Sequence, residues 1–197
     1  MPMTPLNSSV VSDVLIKPHI AHIEFSLDGA SVSPTRFGDV KRELDGGNIK
    51  VARDSSLPQN KCVYRYDNNA PGDTKNAFRM GFSSTGGSTD REALIVHEAV
   101  HAIFDVHSSP QVVKVSEAAA YVAQMLYFYR ANKAAIDAGA TPTFSSEVQR
   151  EAWELSVAAR NGAHTYSATD AADLYAALGS HDDYADRIDD TDDYDGV

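Results

Sequence analysis

The sequence of 197 residues is poor in cysteine and in long apolar runs, and each shortage excludes a class of protein. The single Cys62 excludes an internal disulfide and favours a reducing compartment. No apolar run approaches the roughly 20 residues of a membrane-spanning helix, and the N-terminus lacks the basic start and apolar stretch of a Sec signal peptide. We therefore expect a cytoplasmic protein with no membrane partner, and secretion by a route that needs no signal peptide stays open.

Basic residues are scarce relative to acidic ones. The chain has 17 Lys and Arg against 28 Asp and Glu, which gives a formal net charge of −11. Eight aspartates and one arginine fall within residues 182–197, so this segment carries −7 and the rest of the chain −4. The lack of a basic face argues against a nucleic-acid partner. The concentration of like charge predicts that residues 181–197 form an acidic, disordered tail.

Strand signals come first along the chain and helix signals mostly afterwards. Short apolar or alternating runs predict strands at 19–27, 49–52, 62–66 and 77–82. Apolar periodicity and capping residues predict helices at 34–44, 89–107 and 116–138, one from Ser146 to 161–162, and one from Thr169 or Asp170 to Gly179. This order predicts an α+β fold, with a small N-terminal mixed sheet followed by a helical half.

A chain of this length suits one domain rather than two. We expect a single domain over residues 13–180, preceded by a flexible arm at 1–12 and followed by the acidic tail. Ser33 as N-cap and Pro34 at the first helical position mark the start of its early helix.

The predicted helix at 89–107 carries the pattern His-Glu-x-x-His. Positions i and i+4 of a helix lie on one face, so His97 and His101 can bind one metal ion, with Glu98 placed to act as a general base. A capping box of Thr89 and Glu92 marks the helix start. The helix is apolar on nearly all sides and should be buried, where unpartnered polar groups are costly. The pattern therefore predicts one zinc ion per chain, and an accidental or structural role of the motif is the alternative.

Two residues compete to be the third zinc ligand. His107 lies ten residues after His97, the spacing of the HExxHxxGxxH motif, but Phe104 occupies the position at which that motif needs glycine. Glu117 lies near the start of the next predicted helix, which a short turn can fold back beside the first. We therefore prefer Glu117 as the ligand, and capping of its own helix is its alternative role.

The segments HEAVHA and SEAAAY together resemble the gluzincin metallopeptidases, whose zinc is held by HExxH and a downstream glutamate. The strand before the motif helix is similar to the core of compact bacterial forms, the minigluzincins, and the E-x-x-A pattern is similar to that of ImmA/IrrE-type peptidases. The resemblance covers about residues 77–130 and implies a zincin-like domain with peptidase activity. Ser116 stands where asparagine often precedes the glutamate, which leaves the subfamily and the substrate open.

We expect hydrolysis of peptide bonds in a protein or peptide substrate, with Glu98 passing a proton from the attacking water to the leaving amine. The developing oxyanion needs a donor besides the metal. Tyr121, one turn after Glu117, is one candidate, and a core tyrosine is its alternative role. His164, in a loop between two predicted helices, is the other, because gluzincins commonly place such a donor after the zinc helices; a surface histidine is its alternative role.

Two supporting roles are also predicted. Strand 77–82 is expected to be an edge strand to which an extended substrate adds, with Arg79 facing the substrate or guarding the edge. Asp105, one turn after His101, is expected to accept a hydrogen bond from a ligand histidine.

Two other functions stay open. A zinc-containing protein-binding domain without catalytic activity would keep the ligands but would have no need of Glu98 as a base. A toxin or effector protease with one target protein would share the whole site, because the shape of the cleft sets specificity.

Overall fold

The computed structural model describes residues 3–66, 76–192 and 194. Its α-helices are α1 (Ser9–Leu15), α2 (Pro34–Gly46), α3 (Thr89–Val106), α4 (Val113–Ala131), α5 (Lys133–Asp137), α6 (Glu147–Ala159) and α7 (Ala172–Gly179). Its strands are β1 (Thr4–Pro5), β2 (Phe25–Leu27), β3 (Ala30–Val32), β4 (Lys50–Arg53), β5 (Cys62–Arg65), β6 (Ala77–Met80), β7 (Gln111–Val112), β8 (His164–Tyr166) and β9 (Thr191–Asp192). The predicted α+β class is confirmed.

The largest sheet is mixed and lies before the long helices in the chain. Its strand order is β1-β4-β6-β5, with β4 and β6 parallel and the other two pairs antiparallel. A second sheet has the order β3-β2-β8, and β7 pairs with β9. The prediction that strand 77–82 is an edge is wrong, because β6 hydrogen-bonds on both sides. Among the described strands, β5 is the one at the edge on that side of the sheet.

The predicted N-caps of two helices are confirmed, because in each a serine side chain accepts a backbone hydrogen bond from the first turn. Ser33 Oγ accepts a hydrogen bond from Arg36 N, and Ser146 Oγ accepts one from Gln149 N. Helix α2 also has Pro34 in its first turn, as predicted, and it ends with Gly47 in the left-handed region at φ 76°.

Two other predicted caps are wrong. The cap of α3 is Ser88, whose Oγ accepts from the backbone N–H of Arg91, so Thr89 is already helical. Helix α7 has no side-chain cap, because the carboxylate of Asp170 accepts a hydrogen bond from the backbone N–H of Ser167 at 2.8 Å.

Two predicted elements are divided in the structure. The strand predicted at 19–27 begins as a 3₁₀ turn at Ile20–His22, because Ile20 and Ile23 are both buried and a three-residue spacing suits a 3₁₀ turn better than a strand. The helix predicted at 116–138 starts earlier, at Val113, and breaks at Asn132, whose side-chain amide donates to the carbonyl of Phe128.

Both chain ends are packed where they are described, contrary to the predicted flexible arm and disordered tail. At the N-terminal end, β1 pairs with β4 and Val11 of α1 is fully buried. At the C-terminal end, β9 pairs with β7 and the ring of Tyr194 is 4% exposed. The aspartates of this end alternate with Tyr184, Ile188 and Tyr194, which pack against the core. Residues 1, 2, 193 and 195–197 lie outside the described residues.

Helix α3 runs through the core and packs against α2, α4 and β5. Its apolar side chains, such as Ile95, Val96 and Phe104, have no solvent exposure. The prediction of a buried motif helix is therefore confirmed. Within the described residues, no helix combines the length and hydropathy needed to cross a membrane.

A buried carboxylate joins the N-terminal segment to α3 and α4. Lys17 Nζ lies 2.7 Å from each carboxylate oxygen of Glu92, and Tyr127 donates its hydroxyl to Glu92 Oε2 at 2.6 Å. Burial acts to raise the pKa of Glu92, but the bonds from Lys17 and Tyr127 lower it below its ordinary value of 4.5. The ionised carboxylate therefore stabilises the fold.

We expect Glu92→Gln to lower the free energy of unfolding at neutral pH by about 1.5–3 kcal/mol, the range for hydrogen bonds to a charged group. The effect should lie in the lower part of that range, because Lys17 is 37% exposed and solvent screens it. Since folding lowers the pKa of Glu92, its contribution is present above pH 4.5 and is lost as pH falls through the folded-state pKa.

Urea unfolding at several pH values between about 7 and 3 measures this effect. The curves of the wild type and of Glu92→Gln should converge towards acid. Glu154→Gln, which alters an exposed ion pair with Arg150, serves as the control and should unfold like the wild type. A difference for Glu92→Gln that stays constant with pH would contradict the assignment.

Candidate metal centre

The three predicted zinc ligands meet at one buried point between α3 and α4. His97 Nε2 lies 3.4 Å from Glu117 Oε2, and His101 Nε2 lies 3.7 Å from Glu117 Oε1. One ligand atom from each residue falls within 4.8 Å of the others, and each residue is at most 8% exposed. This is the one such cluster of three or more metal-binding side chains found among the described residues.

The turn between the two helices decides which residue joins the histidines. His107 ends α3, and Ser108 adopts a left-handed conformation at φ 45° that reverses the chain. Helix α4 then returns along α3, which brings Ser116 beside His101 and Tyr127 beside Glu92. Glu117 therefore faces the histidines, whereas His107 Nε2 lies away from them, 3.1 Å from Asp39 Oδ2.

The donors and their charges fit a divalent transition metal. Two imidazole nitrogens and one carboxylate are the usual protein ligands of a catalytic zinc ion. Burial acts to raise the pKa of Glu117, but the neighbouring His101 and His97 lower it to about 2, so the carboxylate stays ionised. Glu117 Oε2 is buried and has no hydrogen-bond partner among the described residues. A cation bound between these donors would satisfy that oxygen.

Glu98 lies beside the ligands and contacts the edge of the sheet. Its Oε2 accepts a hydrogen bond from the backbone N–H of Tyr64 on β5 at 2.6 Å. Burial raises the pKa of Glu98, and the neighbouring His97 and His101 oppose this rise only in part. A carboxyl group with a raised pKa can exchange a proton closer to neutral pH, as a general base must.

An open cleft of about 1180 Å³ extends from this cluster. Residues 60–66, on β5 and at its two ends, line the cleft together with side chains of α3 and α4. Asp183, Tyr184, Arg187 and Tyr194 of the C-terminal segment line it as well.

The two predicted oxyanion donors are placed differently. Tyr121 lines the cleft, with its ring 4.5 Å from that of His97 and its hydroxyl 3.4 Å from that of Tyr184. Burial raises the pKa of Tyr121 to about 12, so its hydroxyl stays protonated. His164 lies on β8, paired with Phe25 of β2, and is not among the described residues that line the cleft. The expected role of His164 therefore lacks the required geometry.

Sequence reasoning missed two tyrosines of the C-terminal segment. Tyr184 lies near enough to Glu117 to help lower the pKa of that carboxyl, and burial raises its own pKa. Tyr194 lies behind the cluster, with its hydroxyl 3.2 Å from His101 Nδ1. The signal that could have found them is the presence of aromatic residues within an otherwise acidic run, since a solvated tail has no need of them.

Asp105 has a different partner from the one predicted. Its Oδ2 accepts a hydrogen bond from the hydroxyl of Tyr64 at 2.7 Å, which anchors β5 against α3. The second nitrogen of His101 lies 2.9 Å from Ser116 Oγ. Arg79, on the inner strand β6, is likewise not among the described residues that line the cleft.

Comparison with protein-family models, with curated proteins and with solved structures gives no match to this chain. The function of the protein is therefore inferred from the side chains of the site itself.

Proposed function

We propose that the protein is a zinc-dependent peptidase whose metal is held by His97, His101 and Glu117. The observation that carries the proposal is the buried cluster of their ligand atoms, all within 4.8 Å of one another, beside the carboxyl group of Glu98 in the lining of an open cleft. The same ligand set, on two consecutive helices, is what the resemblance to gluzincins implies.

Each side chain has a chemical task in this proposal. A zinc ion bound here would supply a Lewis acid that polarises the substrate carbonyl and lowers the pKa of a water molecule. Glu98 accepts the proton of the attacking water at its carboxylate and returns it to the leaving amine. Tyr121 and Tyr184 offer protonated hydroxyl groups in the cleft, and Tyr121 is the donor that we propose for the oxyanion.

The edge of the sheet supports a peptide as the substrate. Strand β5 is the last described strand on its side of the sheet, and it lines the cleft next to Glu98. An extended peptide that pairs with this edge would lie across the metal site with its backbone held by strand hydrogen bonds. The strand that we propose for substrate addition is therefore β5 and not the inner strand β6.

A catalytically silent zinc-binding domain is the second candidate function. The hydrogen bond from Tyr64 N to Glu98 Oε2 favours it, because this bond gives Glu98 a structural partner on β5. The raised pKa of Glu98 and the open cleft favour the enzyme, since a purely structural zinc site closes its fourth position with a protein ligand.

Metal analysis of the purified protein, combined with a peptidase assay, tests the proposal. We expect about one zinc ion per chain and cleavage within a library of quenched fluorescent peptides. A chelator should abolish cleavage, and added zinc should restore it. Zinc binding without cleavage of any peptide would favour the silent domain. No bound metal even after reconstitution would refute both functions.

A further inference from the structure

The second ring nitrogen of His101 contacts a buried group of hydroxyls. Its Nδ1 lies 2.9 Å from Ser116 Oγ and 3.2 Å from the hydroxyl of Tyr194, and these two hydroxyl oxygens are 2.8 Å apart. Ser116 is fully buried and Tyr194 is 4% exposed. His101 is thus held from behind by two hydroxyls, one on α4 and one on the C-terminal segment.

The hydrogen bonds of this group can all run in one direction, with each group donating to the next. A histidine that binds a metal through Nε2 carries its proton on Nδ1, which must then donate. The N–H at Nδ1 can donate to Ser116 Oγ, and the hydroxyl of Ser116 can donate to that of Tyr194. The hydroxyl of Tyr194 then donates to Asp192 Oδ2, which lies 3.3 Å away. The carboxylate of Asp192 only accepts, and it also accepts the hydroxyl of Tyr66 at 2.9 Å. The chain of bonds therefore ends on a carboxylate oxygen that accepts.

Several contacts hold the C-terminal segment against the start of α4. Strands β7 and β9 pair, and the backbone N–H of Val113 donates to the carbonyl of Asp190 at 2.8 Å. Lys114 Nζ lies 2.6 Å from Asp189 Oδ1. The ring of Tyr194 packs 4.7 Å from that of Tyr66 and 5.9 Å from that of Phe104. These contacts fix Tyr194 relative to the same helix that bears Glu117.

We infer that the C-terminal segment, residues 181–192 and Tyr194, completes the metal centre through a hydrogen-bond relay of the Ser116 and Tyr194 hydroxyls and the Asp192 carboxylate. These three are positioning residues: they hold His101 as the tautomer with hydrogen on Nδ1 and its Nε2 directed towards Glu117. The inference depends on the metal site of the proposed function. A metal bound at Nε2 keeps the hydrogen of His101 on Nδ1, from which it can donate to Ser116, so metal binding and packing of the segment should stabilise each other.

The test removes one hydroxyl and keeps the aromatic ring. We expect Tyr194→Phe to weaken zinc binding about 10- to 100-fold, the usual effect of losing a group that orients a metal ligand. Ser116→Ala should act in the same direction. Competition with a chromophoric chelator measures the affinity, and the visible spectrum of the cobalt-substituted protein reports the ligand geometry, which the substitution should alter.

Tyr166→Phe is the matched control. It also removes one buried hydroxyl, whose hydrogen bond goes to the carbonyl of Leu155, and neither residue lines the cleft. Its zinc affinity and cobalt spectrum should equal those of the wild type. Limited proteolysis gives a second readout. Zinc should slow cleavage of the C-terminal segment in the wild type, and it should slow this cleavage less in Tyr194→Phe.

The outcomes separate this inference from the function on which it depends. If the wild type binds zinc and Tyr194→Phe matches it in affinity and in cobalt spectrum, the relay is overturned while the metal site stands. If the wild type binds no zinc, the metal site itself is refuted and the relay with it.

Discussion

Replacement of Glu98 by glutamine should reduce peptide hydrolysis by about 10²- to 10⁴-fold, the usual contribution of a general base, and leave one zinc ion bound. Glutamine has nearly the same shape but cannot take up a proton. Its amide oxygen can still accept the hydrogen bond from Tyr64 N, so the contact between α3 and β5 should persist. Stability should not fall, because the substitution removes a buried acid that burial already disfavours in its charged form.

Three measurements on Glu98→Gln make this result decisive. Metal analysis establishes that the ligands are intact, and thermal unfolding establishes that the fold is. Hydrolysis of the best peptide from the library, at matched zinc occupancy, then isolates the role of the carboxylate. Undiminished turnover in a zinc-loaded variant would remove Glu98 from the mechanism, and a loss of zinc would show that the residue acts on the metal site instead.

Replacement of Glu117 by alanine should weaken zinc binding more than Tyr194→Phe or Ser116→Ala, because it removes a ligand. Its effect should exceed the roughly 10- to 100-fold loss expected when a residue merely orients a ligand. The variant keeps both buried histidines, and the fully buried alanines at 118–120 retain the apolar packing of this part of α4. The folded apoprotein should therefore still form.

His107→Ala is the matched control for Glu117→Ala. His107 is the alternative ligand by sequence spacing, but its imidazole is paired with Asp39 at the end of α3. Zinc at about 1,000 times its dissociation constant should stabilise the wild type and His107→Ala by about 4 kcal/mol. The same zinc concentration should stabilise Glu117→Ala by far less. Loss of zinc from His107→Ala with retention in Glu117→Ala would overturn the ligand set.

Features that depend on near neighbours in the chain were predictable. The helical repeat places His97 and His101 on one face wherever the helix packs, and Ser33 and Ser146 close the first turns of their helices through local bonds. The local prediction was wrong where two neighbouring side chains could both cap one helix. Ser88 is the N-cap of α3, although the capping box predicts Thr89 for that role.

The sequence favoured Glu117 over His107 as the third zinc ligand but could not give the geometry that brings it to the histidines. Phe104 in place of glycine argued against His107, and the apolar second helix argued for Glu117. The geometry that brings Glu117 to the histidines depends on the reversal at Ser108, a residue with no sequence signal for a left-handed conformation.

The sequence alone determined the α+β class, the buried motif helix and the placement of His97 and His101 on one helix face, because helical periodicity and capping act over three or four residues. Only the tertiary structure decided that β5, and not β6, is at the edge of the described sheet, that His164 lies outside the cleft, and that Tyr194 contacts His101 from 93 residues away. Composition predicts a solvated acidic tail for the last residues, since like charges dominate there. The tyrosines of this segment pack against the core and form hydrogen bonds with hydroxyls that are distant in the chain. Local sequence patterns carry no information about such contacts.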